Sequence, residues 1–175
     1  MKFSWTIGLA VVGMLLLGGC EKSVTTAAPQ SIHQDASVPT KVQPKLPTIK
    51  VWVGAEELVT EMALTGEQQM TGMMWRTNMP ENTAMIFVHS TSQQAGYWMK
   101  NCYVPLSVAY IDPDGVIEEI HPLQVQDTNT VYSTATNIRF ALETPQGWFD
   151  THHVTTGMVI RTERGTLLET FGQHQ

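Results

Sequence analysis

Leu106-Ser107-Val108-Ala109-Tyr110-Ile111 is apolar on both parities and stops at Asp112-Pro113-Asp114-Gly115. Successive side chains of a strand point to opposite faces of the sheet, so a strand of this pattern is buried on both faces. The four residues that stop it fit a type I turn, with proline second and glycine fourth. Val116 to His121 is then expected to return as a hairpin partner.

Around that strand the pattern is mostly extended. Ile49 to Val53 alternates, Leu58 to Leu64 carries Leu58, Met62 and Leu64 on one parity, and Met85 to Val88 is a compact apolar run. Tyr97 to Tyr103, Arg139 to Glu143 and Thr166 to Phe171 are read as further strands. Thr65-Gly66-Glu67-Gln68 has capping-box spacing and predicts a short helix through about Met74, broken by Asn78-Met79-Pro80. One more helical turn fits around Trp148. Dominant strands and short helices predict an α+β, mainly β domain: a compact, rolled, largely antiparallel sheet with one or two short helices.

The N-terminus predicts location. Lys2 precedes an apolar run from Trp5 to Leu17, shorter than the roughly 18 to 20 residues a spanning helix needs. Leu17-Gly18-Gly19-Cys20 resembles a bacterial lipobox, so residues 1–19 are expected to be a lipoprotein signal peptide and Cys20 the lipidated residue. Several acyl chains anchor stably, because each buried methylene contributes about 0.8 kcal/mol. Residues 21 to about 47 are rich in Thr, Ser, Ala and Pro and read as a disordered tether. Residues 48–175 are then a single globular domain on a bacterial envelope, facing the periplasm, with the lipid as its membrane contact.

Charge narrows the partners. The 175 residues carry 10 Lys and Arg against 16 Asp and Glu. From Thr48 onward the basic residues are Lys50, Arg76, Lys100, Arg139, Arg161 and Arg164, too scattered for the basic stripe a nucleic-acid binder needs. With Cys20 lipidated, Cys102 has no partner for an internal disulfide, and its apolar-flanked position predicts a buried thiol.

Glu67, Gly72-Met73-Met74-Trp75-Arg76, Met85-Ile86-Phe87, Trp98-Met99-Lys100-Asn101, Pro105-Leu106 and Leu142-Glu143 with Gly147 together resemble the family catalogued as domain of unknown function 192. The resemblance runs from roughly Val51 to Phe171, and Trp-Met-Lys-Asn is its specific block. It implies a small envelope or secreted single domain without an established activity. Cys102 stands where the family usually has threonine, and Ser107 where it usually has aspartate.

The candidate binding residues are Arg76, Trp98, Lys100, Asn101 and Glu143. In one reading Lys100, Arg76 and Asn101 form an anion-recognising corner, with Trp98 a platform for an apolar group or a sugar. In the other, Lys100 or Arg76 pairs with Glu143 or Glu67 to fix the sheet against the helix. Clustered methionines from Met62 to Met99 are either soft ligands for Cu(I) or adaptable core, and core is the simpler account. Adjacent His152 and His153 point apart and make a poor metal pair. No cofactor is expected. The expected function is an accessory domain binding a small ligand, a glycan or a protein partner. The alternatives are an envelope hydrolase or transferase using Glu143, Lys100 and Arg76, and a structural interaction module.

Overall fold

The computed structural model describes residues 38–172. The expected signal peptide, Cys20 and the tether up to residue 37 lie outside the described residues.

Strands β1 (Thr48–Val53) and β2 (Glu56–Ala63) pair antiparallel and lead into helix α1 (Gly66–Thr71). β3 (Thr83–Gln93) returns parallel to β2. Then come β4 (Gly96–Tyr97), β5 (Leu106–Ile111), β6 (Ile117–Leu123), β7 (Val131–Tyr132) and β8 (Ile138–Pro145). Helix α2 (Trp148–Thr151), β9 (Ile160–Thr162), β10 (Gly165–Thr166) and helix α3 (Leu167–Phe171) complete the order. Eight strands form one mixed sheet in the order β10, β9, β1, β2, β3, β8, β5, β6, while β4 and β7 make a separate ribbon. All pairs in the large sheet except β2 with β3 are antiparallel, as expected.

The sheet rolls without closing. An isolated bridge joins Val116 to Val159, and the Ile160 amide donates to the Gly115 carbonyl at 2.8 Å. Gly115 ends the predicted turn, its amide donating to the Asp112 carbonyl at 3.2 Å. It has φ +84°, and a Cβ there would lie 2.9 Å from the Ile160 carbonyl oxygen, so glycine answers both the turn and the contact.

β5 is buried at every position because apolar layers cover both sheet faces. One layer contains Ile86, Ala109, Ile111, Phe140 and Leu142 with Trp148, Phe149 and Phe171 of the short helices. The other contains Met85, Phe87, Val108, Tyr110 and Ala141 under Met73, Met74, Met99 and Cys102. Burial of those methionines places them in the core, where an unbranched thioether fills irregular space.

Four expectations change. Helix α1 has its capping box, with the Gln68 amide donating to Thr65 Oγ1 at 3.2 Å and the Thr65 amide to Gln68 Oε1 at 3.0 Å, but it ends at Thr71. Gly72 at φ +45° turns the chain so that Met73 and Met74 enter the core. Thr166 to Phe171 is not a strand: Thr166 and Glu169 form a second capping box and Leu167–Phe171 is helical. In Tyr97 to Tyr103 only Tyr97 belongs to a strand, and Lys100 and Asn101 form a turn. Upstream, residues 38–47 run extended against the domain, so packing begins before Thr48. Leu46 is buried, and Gln43 Nε2 donates to the Gln68 and Gly72 carbonyls at 3.2 and 2.8 Å, satisfying groups a helix end leaves open.

Candidate functional site

The Tyr-Trp-Met-Lys-Asn-Cys run is shaped by its turn. Met99 is buried and its amide donates to the Asp127 carbonyl at 2.8 Å, while the Cys102 amide donates to the Met99 carbonyl at 3.0 Å. Asn101 takes φ +59°, a region asparagine tolerates, and its carbonyl accepts the Trp75 amide at 2.8 Å. Trp75 itself sits at φ +67°, strained for a bulky residue. The turn leaves Lys100 Nζ 5.3 Å from the Trp98 ring centroid, within cation–π range. The turn, not a strand, brings the two side chains together.

Beside this turn lies a cleft of about 450 Å³, a volume in the usual range for small-ligand sites. Gln69 and Met70 of α1, His89 of β3, Tyr97 of β4, Trp98 and Tyr132 of β7 line it. Tyr132 is 61 % exposed. A Cβ on Gly96 would lie 2.6 Å from the Tyr132 ring, so the absence of a side chain lets that ring lie across the β4 backbone. At the base, His89 Nε2 lies 3.3 Å from Tyr97 Oη. Burial, reinforced by Arg139, holds the His89 imidazole below its ordinary pKa, and burial pushes the Tyr97 phenol well above its own. Both are therefore neutral hydrogen-bonding groups near pH 7, set beside the exposed Tyr132 ring and the half-buried Trp98 indole. Such a surface suits a polar, uncharged ring that stacks on one face and hydrogen-bonds at its edge.

The expected Glu143 corner is arranged differently. Arg76 makes a two-pronged bond to Glu61, Nη1 to Oε1 at 2.6 Å and Nη2 to Oε2 at 2.8 Å, rather than pairing with Glu143 or Glu67. Glu61 Oε2 also accepts the Leu46 amide at 2.8 Å. Burial works against the Glu61 charge, but the Arg76 hydrogen bonds and the Leu46 amide outweigh it and hold the carboxyl below its usual pKa. Lys100 lies on Trp98 instead of on Glu143.

Glu143 stands in β8 opposite Met85 of β3 and Val108 of β5, 4 % exposed, with Oε2 lacking a hydrogen-bond partner. Burial pushes its carboxyl up to about 8, against a smaller opposing pull from Arg76. Glu143 is thus a neutral acid at pH 7. The Cys102 thiol, also buried, is pushed up to about 12 by burial and then by Glu143, and is not a thiolate nucleophile near neutrality.

Of the five expected residues, Trp98 lines the cleft, Lys100 covers Trp98, and Asn101 shapes the turn through its backbone. Glu143 lies in the packed interior of the domain, and half-buried Arg76 lines a separate small pocket with Glu61. Tyr132 and Glu61 were not singled out in the sequence, where nothing nearby distinguishes them. Among the described residues no cluster of three or more His, Cys, Asp or Glu could hold a metal ion.

The family model DUF192, described as Uncharacterized ACR, matches residues 49–162. A protein from Sinorhizobium meliloti 1021, provisionally assigned as a transcription regulator, has a crystal structure similar to this chain. Its TM-score is 0.65 at 24 % identity, over 69 % of this chain and 97 % of that one. A protein of unknown function from Novosphingobium aromaticivorans DSM 12444 is similar at TM-score 0.64 and 23 % identity, over 82 % of this chain and 99 % of that one. At these identities the likeness shows a shared fold. Comparison with curated proteins gives no match.

Proposed function

The chain belongs to the DUF192 family, and from that premise we propose that it is a lipid-anchored accessory domain of the bacterial envelope that binds carbohydrate in the cleft beside Trp98. One observation carries the binding reading: exposed Tyr132 and half-buried Trp98 line, with a neutral His89–Tyr97 pair, a cleft large enough for a few sugar rings. Sugars present apolar ring faces and polar edges, and aromatic side chains with neutral hydrogen-bonding groups complement both. Binding is favoured over hydrolysis because Glu143, the acid a hydrolase reading would use, lies buried among Met85 and Val108 rather than on the cleft.

Calorimetric titration with N,N′-diacetylchitobiose tests this. Wild type is expected to bind. Trp98→Ala should weaken binding roughly tenfold, through loss of a stacking face on the order of 1 kcal/mol beyond its buried area. Undetectable heat from wild type across neutral oligosaccharides of this size would overturn the reading.

Anchoring rests on the apolar run that ends at Leu17-Gly18-Gly19-Cys20. Cys20→Ala is expected to abolish metabolic labelling with palmitate and release the protein from membranes. Palmitate retained by that variant would contradict lipidation at Cys20.

A further inference from the structure

We propose that the cleft selects carbohydrate bearing a carboxylate, with Lys100 as the residue that recognises the anion. The inference rests on the carbohydrate reading of the cleft and adds the charge of its ligand.

Trp98 carries the argument, because the same indole lines the cleft and lies under the Lys100 ammonium at 5.3 Å. Lys100 itself stands outside the residues that line the cleft, so a substituent of a sugar seated against Trp98 meets the cation only by reaching past the indole. That cation is uncommitted, since among the described residues no carboxylate lies within ion-pair distance of Lys100. The carboxylate pairs made by lysine and arginine are Lys50 with Glu57 and Arg76 with Glu61. Arg139 is buried and donates to the His89 carbonyl. Lys100 is half-buried, and its alkyl stem is placed by the Asn101 turn rather than left free in solvent.

The lining sharpens the choice of ligand. No Asp or Glu lines the cleft, so nothing in the wall repels an anion, although the chain as a whole carries a formal charge of −6. A single ammonium beside neutral hydrogen-bonding groups matches one negative charge. A phosphate dianion would call for a second cation or a guanidinium fork, and Arg139 is held away in the interior. The ligand class this describes is a sugar with one carboxylate-bearing substituent that reaches past the indole edge.

Three disaccharides of one backbone separate the possibilities in calorimetric titrations of the full chain. These are diacetylchitobiose, its derivative with a lactyl ether carboxylate on one ring, and the primary amide of that derivative, which keeps the shape and removes the charge. At low ionic strength the carboxylate is expected to bind about tenfold more tightly than the amide, as a hydrogen bond to a charged group allows. Added salt should narrow the gap. Lys100→Met should abolish it, and Lys100→Arg should keep it.

Equal affinity for carboxylate and amide, or a gap that survives Lys100→Met, would overturn the assignment of Lys100 while leaving the carbohydrate reading intact. Tighter binding of a phosphorylated disaccharide than of the carboxylate would overturn the choice of anion. If wild type binds none of the sugars, both readings fall together.

Discussion

Arg76→Met is expected to destabilise the domain by roughly 3 to 5 kcal/mol, the usual penalty for leaving one half of a buried ion pair without its partner. Glu61 is 9 % exposed and accepts the Leu46 amide, although it and half-buried Arg76 also line a small pocket. The effect should extend beyond the pair. Glu61 also accepts the Leu46 amide, and a carboxyl that takes up a proton loosens that bond too. Glu61→Gln in the Arg76→Met background is expected to recover much of the loss, because a neutral amide can still accept from Leu46. Denaturant melts of the wild type, both single variants and the double variant give the coupling directly. Strictly additive single effects, or an Arg76→Met variant within about 1 kcal/mol of wild type, would show that the pair behaves like an ordinary surface contact.

Glu143→Gln is expected to remove a pH dependence rather than simply lower stability. An unfolded glutamate titrates near 4.5, whereas Glu143 in the fold keeps its proton to about 8. Between those values the folded chain binds a proton that the unfolded chain has released. The stability due to this group is thus complete below about pH 4.5, declines as pH rises, and is gone above about pH 8. The span is on the order of 5 kcal/mol. Glu61 acts in the opposite sense: its carboxyl is held low, so its contribution is present above the ordinary carboxylate pKa and is lost as pH falls. Together the two groups place maximal stability on the acidic side of neutrality. Thermal melts from pH 5 to 9 should fall for wild type and stay much flatter for Glu143→Gln, with the variant the more stable at the alkaline end. Parallel curves for the two proteins would mean that Glu143 is already ionised in the fold.

Local signals explain which parts of this fold were legible. The Thr65–Gln68 box, the Asp112–Gly115 turn and the two-sided burial of β5 depend on neighbours a few residues apart, and each is found where expected. Thr166 and Glu169 carried the same capping signal, but Thr166 to Phe171 was read as a strand; so short a stretch holds too few residues to tell a helical period from an extended one. Met99 to Cys102 misled differently. Its alternating side chains suit a strand, but Asn101 at positive φ and the Met99–Asp127 bond turn the chain, and the Asp127 contact belongs to tertiary structure.

The site was legible only in part for the same reason. Trp98 and Lys100 stood out as an aromatic and a cation two residues apart. Their cleft also needs α1, β3 and β7, and no spacing joins His89 to Tyr132. Glu61 was hidden as an ordinary polar residue of an alternating strand until β2 and the chain after α1 brought it to Arg76. Glu143 was visible as a candidate. Its burial between two strands, which decides its chemistry, follows from the order of the sheet.

The rolled sheet has a consequence for how copies of this protein meet. An end strand normally exposes a row of unpaired amides and carbonyls on which another chain can build. Here β6 has little of that margin to offer. Ile117 exchanges hydrogen bonds with Met158 and Gly157, and Val116 bridges Val159. Farther along, the Glu119 carboxylate accepts the Thr134 and Ala135 amides at 2.7 and 2.8 Å, drawing that loop alongside, and Pro122 has no amide to give. A foreign strand adding to β6 would first have to part Val116 from Val159, so the same contact that rolls the sheet also guards crowded molecules against edge-to-edge polymerisation.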